Sequence, residues 1–179
     1  FAWNLAWLLA IWDLHWRLDR VSAGHSWQFA AEGAVLAAWL ALTTLGIRRN
    51  LAAFGDHAGL FTKAAAWPLM LLVFAWSMAA NIQCSGDLPP LPHLPLANPL
   101  DLAQLALLAA GIWASRQLVV DEEARRILPL LFALAGFFWL NAALLRSVHH
   151  WGGVPFELHA LLRSVTAQAA LSLLWTSTA

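Results

Sequence analysis

Near one end of the chain, Arg146, His149, His150, Trp151, Glu157, His159 and Arg163 fall close together. Their types are those of acid–base and anion-binding chemistry. Arg146 and His150 stand one helical turn apart, as do His159 and Arg163, so each pair can share a helix face. Gly152 and Gly153 lie between the two sets and fold one toward the other. Arginine offers a planar fork to a phosphate or carboxylate, and histidine carries a proton near neutral pH. His149, His150 and Glu157 are the candidate catalytic groups; Arg146, Trp151, His159 and Arg163 are the candidate ligand-binding groups. The same residues also suit anchoring at a bilayer surface, where Trp and Arg collect. Both readings stand.

A metal site is not expected. His149 and His150 are adjacent, and neighbours on a helix diverge by about 100°. The His-Glu-x-x-His pattern is missing, and Glu157 and His159 belong to different faces. Cys84 is the single cysteine, which leaves neither an internal disulfide nor a cysteine-rich metal site. No cofactor is implied, and a formal net charge of zero points to no nucleic-acid partner.

A second polar group, Asp13, His15, Trp16, Arg17, Asp19 and Arg20, follows the first apolar run. Its acids suit either a lipid-linked donor or the solvated end of a helix; no spacing demands the former, and the latter is the expectation. Glu32, Asn81, Gln104, Asn141 and Gln168 lie inside apolar segments. Glu32 and Asn141 are the intramembrane polar residues of interest, because such groups are expensive and often functional. The amides also suit interhelical hydrogen bonds.

The elements that must position these groups are apolar. Uncharged runs cover residues 1–12, 33–47, 64–82, 102–115, 127–145 and 164–179. A helix needs about 20 mainly apolar residues to cross a bilayer core. Hydrophobic residues make up 61% of the chain and charged ones 11%, too few for the polar shell of a soluble fold, where about 25% is usual. Spans must be helices or closed barrels, and the runs do not alternate as barrel strands do. The expected fold is all-α: a polytopic transmembrane helix bundle of about six spans. They are placed at 1–12 (with the helix continuing toward Arg20), 27–47, 64–82, 99–118, 127–145 and from Ser164 onward. Phe1 and Ala179 both fall inside apolar runs, so a single transmembrane region over 1–179 is expected, a fragment of a larger polytopic protein cut through its first and last helices.

Local signals mark some ends. Asn98-Pro99-Leu100-Asp101 reads as an N-cap, a proline at the first helical position and an acid facing the helix dipole. His150-Trp151-Gly152-Gly153-Val154-Pro155 reads as a stop followed by a restart at Pro155. The link 83–98, with Pro89, Pro90, Pro92 and Pro95, reads as a stiff extended connector against the bundle. Alternating the links puts Arg48, Arg49, Lys63, Arg116, Arg125 and Arg126 on one side and Arg17, Arg20, Arg146 and Arg163 on the other. The positive-inside rule makes the first side cytoplasmic and the 83–98 link extracytoplasmic.

The stretch 143–155, centred on Arg146-Ser147-Val148-His149-His150-Trp151-Gly152-Gly153, resembles a segment of the large bacterial membrane-protein family called domain of unknown function 2339. So do 167–175, ending in Leu173-Leu174-Trp175, and Asn98-Pro99-Leu100-Asp101-Leu102. The matching words cover the last half; the first hundred residues match in character only. The resemblance implies an internal piece of a long, multi-pass protein of the bacterial inner membrane, and it carries no activity over. Expected partners are the lipid bilayer, the remaining helices of the parent, and lipid head groups or envelope glycans. The functional expectation is a structural or binding role at the cell envelope. The alternatives are an enzyme acting at the outer face on a lipid-linked sugar or acyl donor, and a transporter component.

Overall fold

A computed structural model of the chain describes residues 2–20, 24–51, 59, 62, 67–118 and 122–178. Among these the fold is all-helical. In chain order the helices are α1 (Ala2–Arg20), α2 (His25–Arg48), α3 (Trp67–Gln83), α4 (Pro99–Leu118), α5 (Glu122–Gly152), α6 (Leu158–Arg163) and α7 (Val165–Thr178). Lys63, the start of the run 64–82, the side chain of Arg125, and the terminal Phe1 and Ala179 lie outside the described residues.

The helices α2 and α4 form the most extensive contact, α5 packs on α4, and α3 bridges α2 and α5. Outside this group α1 lies on α2 and α7 on α5. Leu36 and Leu40 of α2, Leu69 and Val73 of α3, and Leu100 and Leu107 of α4 make one buried core. Leu108 of α4 with Leu128, Phe132 and Trp139 of α5 make a second. Lipid tails are as apolar as leucine, so such contacts hold by close packing rather than by escape from water. Small residues permit that closeness. A Cβ on Gly33 would lie 2.4 Å from the Trp76 ring, and one on Gly111 would lie 2.3 Å from the Phe132 ring. Both rings press onto bare backbone.

The outer surface is as greasy as the core. Leu5, Leu8 and Leu9 on α1, Leu130, Leu134, Phe137 and Phe138 on α5, and Leu173 on α7 are exposed, more apolar surface than a water-soluble monomer displays. Two described helices are long and apolar enough to cross a membrane, His25–Arg48 and the Arg126–Gly152 portion of α5; Trp67–Gln83 is apolar but shorter. The sequence expectation of about six spans is thus met by two on length and composition. The shortfall has local causes: α7 is 14 residues long, α4 carries Asp101 and Arg116, and the second half of α1 is charged.

Several expected ends hold. α4 begins at Pro99, and Asn98 caps it: its Oδ1 accepts the Asp101 backbone N–H at 2.8 Å. Ser164 opens α7, its Oγ accepting from the Ala167 backbone N–H at 3.3 Å. α5 ends at Gly152, where the paired glycines were expected to stop it; its last seven residues, from Arg146 on, lie beyond the apolar run 127–145, and the Arg146 charge is neutralised inside the bundle. Gly153, with φ of 66°, supplies the left-handed turn, yet the next helix starts at Leu158 rather than Pro155.

Gly111→Ala is expected to destabilise the chain in detergent by about 1–3 kcal/mol, the range for overpacking a filled contact. Adding Phe132→Leu should restore part of the loss. Chemical unfolding of the single and double variants measures both; equal stability of wild type and G111A would contradict the packing.

Candidate functional site

Six residues before its end, about 9 Å along the axis, α5 places Arg146 in the interior. Its side chain and that of Asp101 are both fully buried, and Nη1 donates to Asp101 Oδ1 at 2.7 Å. Nε donates to the Cys84 carbonyl at 3.0 Å, and Nη2 to the Ala80 carbonyl at 3.1 Å and Asn81 Oδ1 at 3.4 Å. Those acceptors belong to the last turn of α3 and the residue after it, and the Ala80 carbonyl serves two donors, since it also accepts from the Cys84 backbone N–H at 3.2 Å. Asp101 is equally occupied. Trp139 Nε1 donates to its Oδ1 at 3.2 Å and Asn98 Nδ2 to its Oδ2 at 2.7 Å. Arg146, a ligand-binding candidate by sequence, is therefore spent on the protein itself and presents no fork to a surface.

Directly over this pair lies the link 84–98. Gly86, with φ of 81°, turns the chain so closely that a Cβ there would meet the Arg146 side chain at 3.0 Å. The turn projects Asp87 outward, and the Ser85 hydroxyl donates to Asp87 Oδ2. Trp27 Nε1 of α2 donates to the Pro89 carbonyl at 3.0 Å and ties the link down. The link does lie against the bundle, but it is not inert.

The last turn of α5 meets it. His149 Nδ1 lies 2.6 Å from the Val154 carbonyl, so this nitrogen donates and Nε2 is the ring nitrogen left facing the link. That Nε2 is 3.8 Å from Asp87 Oδ2. His150 Nε2 is 3.6 Å from Asp87 Oδ1 and 3.2 Å from the Ser85 carbonyl. His93, from the link, stacks flat on His150 with ring centroids 4.1 Å apart and planes at 13°. Trp151 meets His93 edge-on and Phe156 meets His149 edge-on. Burial, then the neighbouring His150, holds His93 below the usual imidazole range. The adjacent histidines do not diverge in effect, because Asp87 sits between their two directions. Cys84 takes no part, since burial pushes its thiol up to about 12.

The other sequence candidates lie apart from this cluster. Glu157, His159 and Arg163 are exposed, and their side chains make no ion pair with it among the described residues. Trp151 is exposed at the cluster's edge. Asn141 accepts from Trp175 Nε1 at 2.8 Å, an interhelical bond between α5 and α7. Gln104 accepts from Ser77 Oγ at 3.2 Å, joining α3 and α4. Glu32 has a partner that sequence reasoning did not find: His15 Nδ1 of α1, at 2.9 Å. Asp13 pairs with Arg17 at 2.7 Å, Gln28 donates to Asp19, and Arg20 stacks over Trp16 at 3.5 Å. The second polar group is thus a helix end stitched to itself and to α2. Asp87 and His93 were passed over as members of a connector; their shared side with His149 and His150 was the available signal.

A family model described as Predicted membrane protein (DUF2339) matches residues 1–179. The chain belongs to this family. Membership covers the whole chain and not only the last half, where the His-His-Trp turn made it visible; the earlier helices are written in interchangeable apolar letters that carry little pattern by eye. No curated protein and no solved structure matches the chain. As a DUF2339 member it is a predicted membrane protein, helical, with two candidate spans.

Two outcomes follow. Arg146→Met and Asp101→Asn should each cost about 3–5 kcal/mol, since either leaves a buried charge without its partner. An Arg146→Met/Asp101→Leu double variant should lose less than the sum, measured as unfolding in detergent. Separately, the hydrogen bond to Glu32 raises His15, which lies beyond the apolar run 1–12, above its ordinary 6.5. A raised histidine stabilises fully below its unfolded value and loses that contribution as pH climbs through the folded one. Nuclear magnetic resonance titration should find His15 above 6.5 in wild type and lower in Glu32→Gln.

Proposed function

We propose that this chain is a multi-pass segment of a bacterial inner-membrane protein, with about six spans and a structural and binding role at the outer side of the membrane. The end built by the 84–98 link and the last turn of α5 is the extracytoplasmic one, and it takes up a ligand there. The observation that carries the reading is the convergence of His93, His149 and His150 with Asp87 at the surface, above an ion pair with no capacity left for a ligand.

Charge supports the orientation. Arg146 is buried and neutralised by Asp101, so it drops out of the surface vote. That leaves Arg17, Arg20 and Arg163 against Arg48, Arg49, Arg116 and Arg126 with the two basic residues outside the described side chains. Trp151, exposed at the cluster's edge, suits the depth at which lipid head groups and envelope glycans are met. A second reading, an enzyme acting at that face on a lipid-linked sugar or acyl donor, draws on His149. The Val154 carbonyl fixes its tautomer with Nε2 toward Asp87, an arrangement suited to proton transfer. Glu157 has no part in either reading.

Asp87→Cys and Arg116→Cys in the full-length protein test the orientation with a membrane-impermeant maleimide, native Cys84 being buried and serving as baseline. Asp87→Cys should react in intact spheroplasts and Arg116→Cys only after lysis. The opposite pattern overturns the sidedness, and reaction of both before lysis overturns the multi-pass reading. The His149→Ala/His150→Ala variant should keep wild-type abundance while Arg146→Met falls several-fold.

A further inference from the structure

We infer that Asp87, His149 and His150 bind a divalent transition-metal ion of the zinc class, as three protein ligands with a fourth position open. The inference rests on the reading of this end as a ligand-binding face and names the ligand.

One ligand atom from each of the three residues falls within a set whose members all lie within 4.8 Å of one another. Zinc bound tetrahedrally at 2.0–2.2 Å holds its ligand atoms about 3.4 Å apart. The carboxylate oxygens already stand 3.6 and 3.8 Å from the two ring nitrogens. These gaps are too long for a hydrogen bond and too short for a water molecule to sit between the groups. A single ion bonded to one atom of each residue draws together a set now spread over up to 4.8 Å, a closure of up to about 1.4 Å that rotation of the exposed Asp87 side chain and of the two partly exposed imidazoles supplies.

The surroundings are those of a prepared site. A ligating histidine ordinarily donates its other ring N–H to a carbonyl or carboxylate, which fixes tautomer and orientation. His149 does so through Nδ1 to the Val154 carbonyl at 2.6 Å, leaving Nε2 as the lone pair facing Asp87. His150 is held flat by His93; with its proton on Nδ1, its Nε2 exchanges the Ser85 carbonyl for the ion. The Ser85 hydroxyl holds Asp87 Oδ2. Two imidazoles and one carboxylate form a mixed set suited to zinc, whose catalytic sites keep three protein ligands and a water in the fourth place. Calcium and magnesium prefer all-oxygen sets.

The test uses the full-length protein in detergent, stripped with a chelator and titrated with zinc by calorimetry, with cobalt as a spectroscopic substitute. Wild type should bind one ion at this site, with a tetrahedral cobalt spectrum. His149→Ala and His150→Ala should weaken binding at least about 100-fold, and the exposed His159→Ala should leave it unchanged. Should the histidine variants fail to fold, Asp87→Asn, altered at an exposed side chain, carries the test by weakening binding while eluting as wild type does. Zinc uptake by wild type no greater than by the His149→Ala/His150→Ala variant, or undiminished affinity in Asp87→Asn, overturns the inference. If either occurs while Asp87→Cys reacts with impermeant maleimide from outside, the metal fails and the outer binding face stands. If Asp87→Cys is reached only after lysis, the outward reading itself fails.

Discussion

A guanidinium and a carboxylate, both sealed from solvent, hold one end of this bundle together. Arg146 sits against the carbonyls that end α3, where the helix dipole is negative, and Asp101 occupies the first turn of α4, where it is positive. Each charge thus meets a favourable helix end as well as its opposite partner. The pair alone would be a poor source of stability, since desolvation consumes most of the attraction between buried ions. Its value lies in saturation: the guanidinium finds four acceptors, and the carboxylate finds three donors in Arg146, Asn98 and Trp139. With α3, α4, α5 and the link all bonded to one point, none of these ends can shift without stranding a charge.

The polar cluster above depends on that point. Gly86 passes so close to Arg146 that the position of the Ser85-Gly86-Asp87 turn is set from below. The same arginine, one helical turn before His150, sets how the end of α5 faces the link. Asp87 and the histidines therefore meet as a consequence of the interior pairing and not of local sequence. Elsewhere the bundle manages its polar groups more modestly, with Thr43 and Thr44 bonding back to their own helix and Ser77 reaching Gln104. Much of the remaining surface is apolar, in keeping with a family of predicted membrane proteins.

What was legible in the sequence was local. Asn98-Pro99 with Asp101 announced the start of α4, because capping is a contest among near neighbours, and the paired glycines announced the end of α5. What was hidden was long-range. Asp101 had a sufficient local explanation as a capping acid, so nothing called for a partner 45 residues away. Arg146, seen without that partner, read as the edge of a span and as a ligand fork, which misplaced its charge at the surface. Asp87 and His93 were masked by the prolines around them, which read as a stiff extended connector, whereas the link turns at 89–90 and again at 95–97. Glu32 looked isolated because helix periodicity cannot show that His15 arrives from α1.

The rings of Trp76 and Phe132, seated on Gly33 and Gly111, restrict how the bundle can move. A helix sliding lengthwise past its neighbour would drag each ring across the next side chain, which has no room for it. The permitted motions are tilts that keep both rings in their notches as pivots, so any opening of this molecule hinges rather than ratchets.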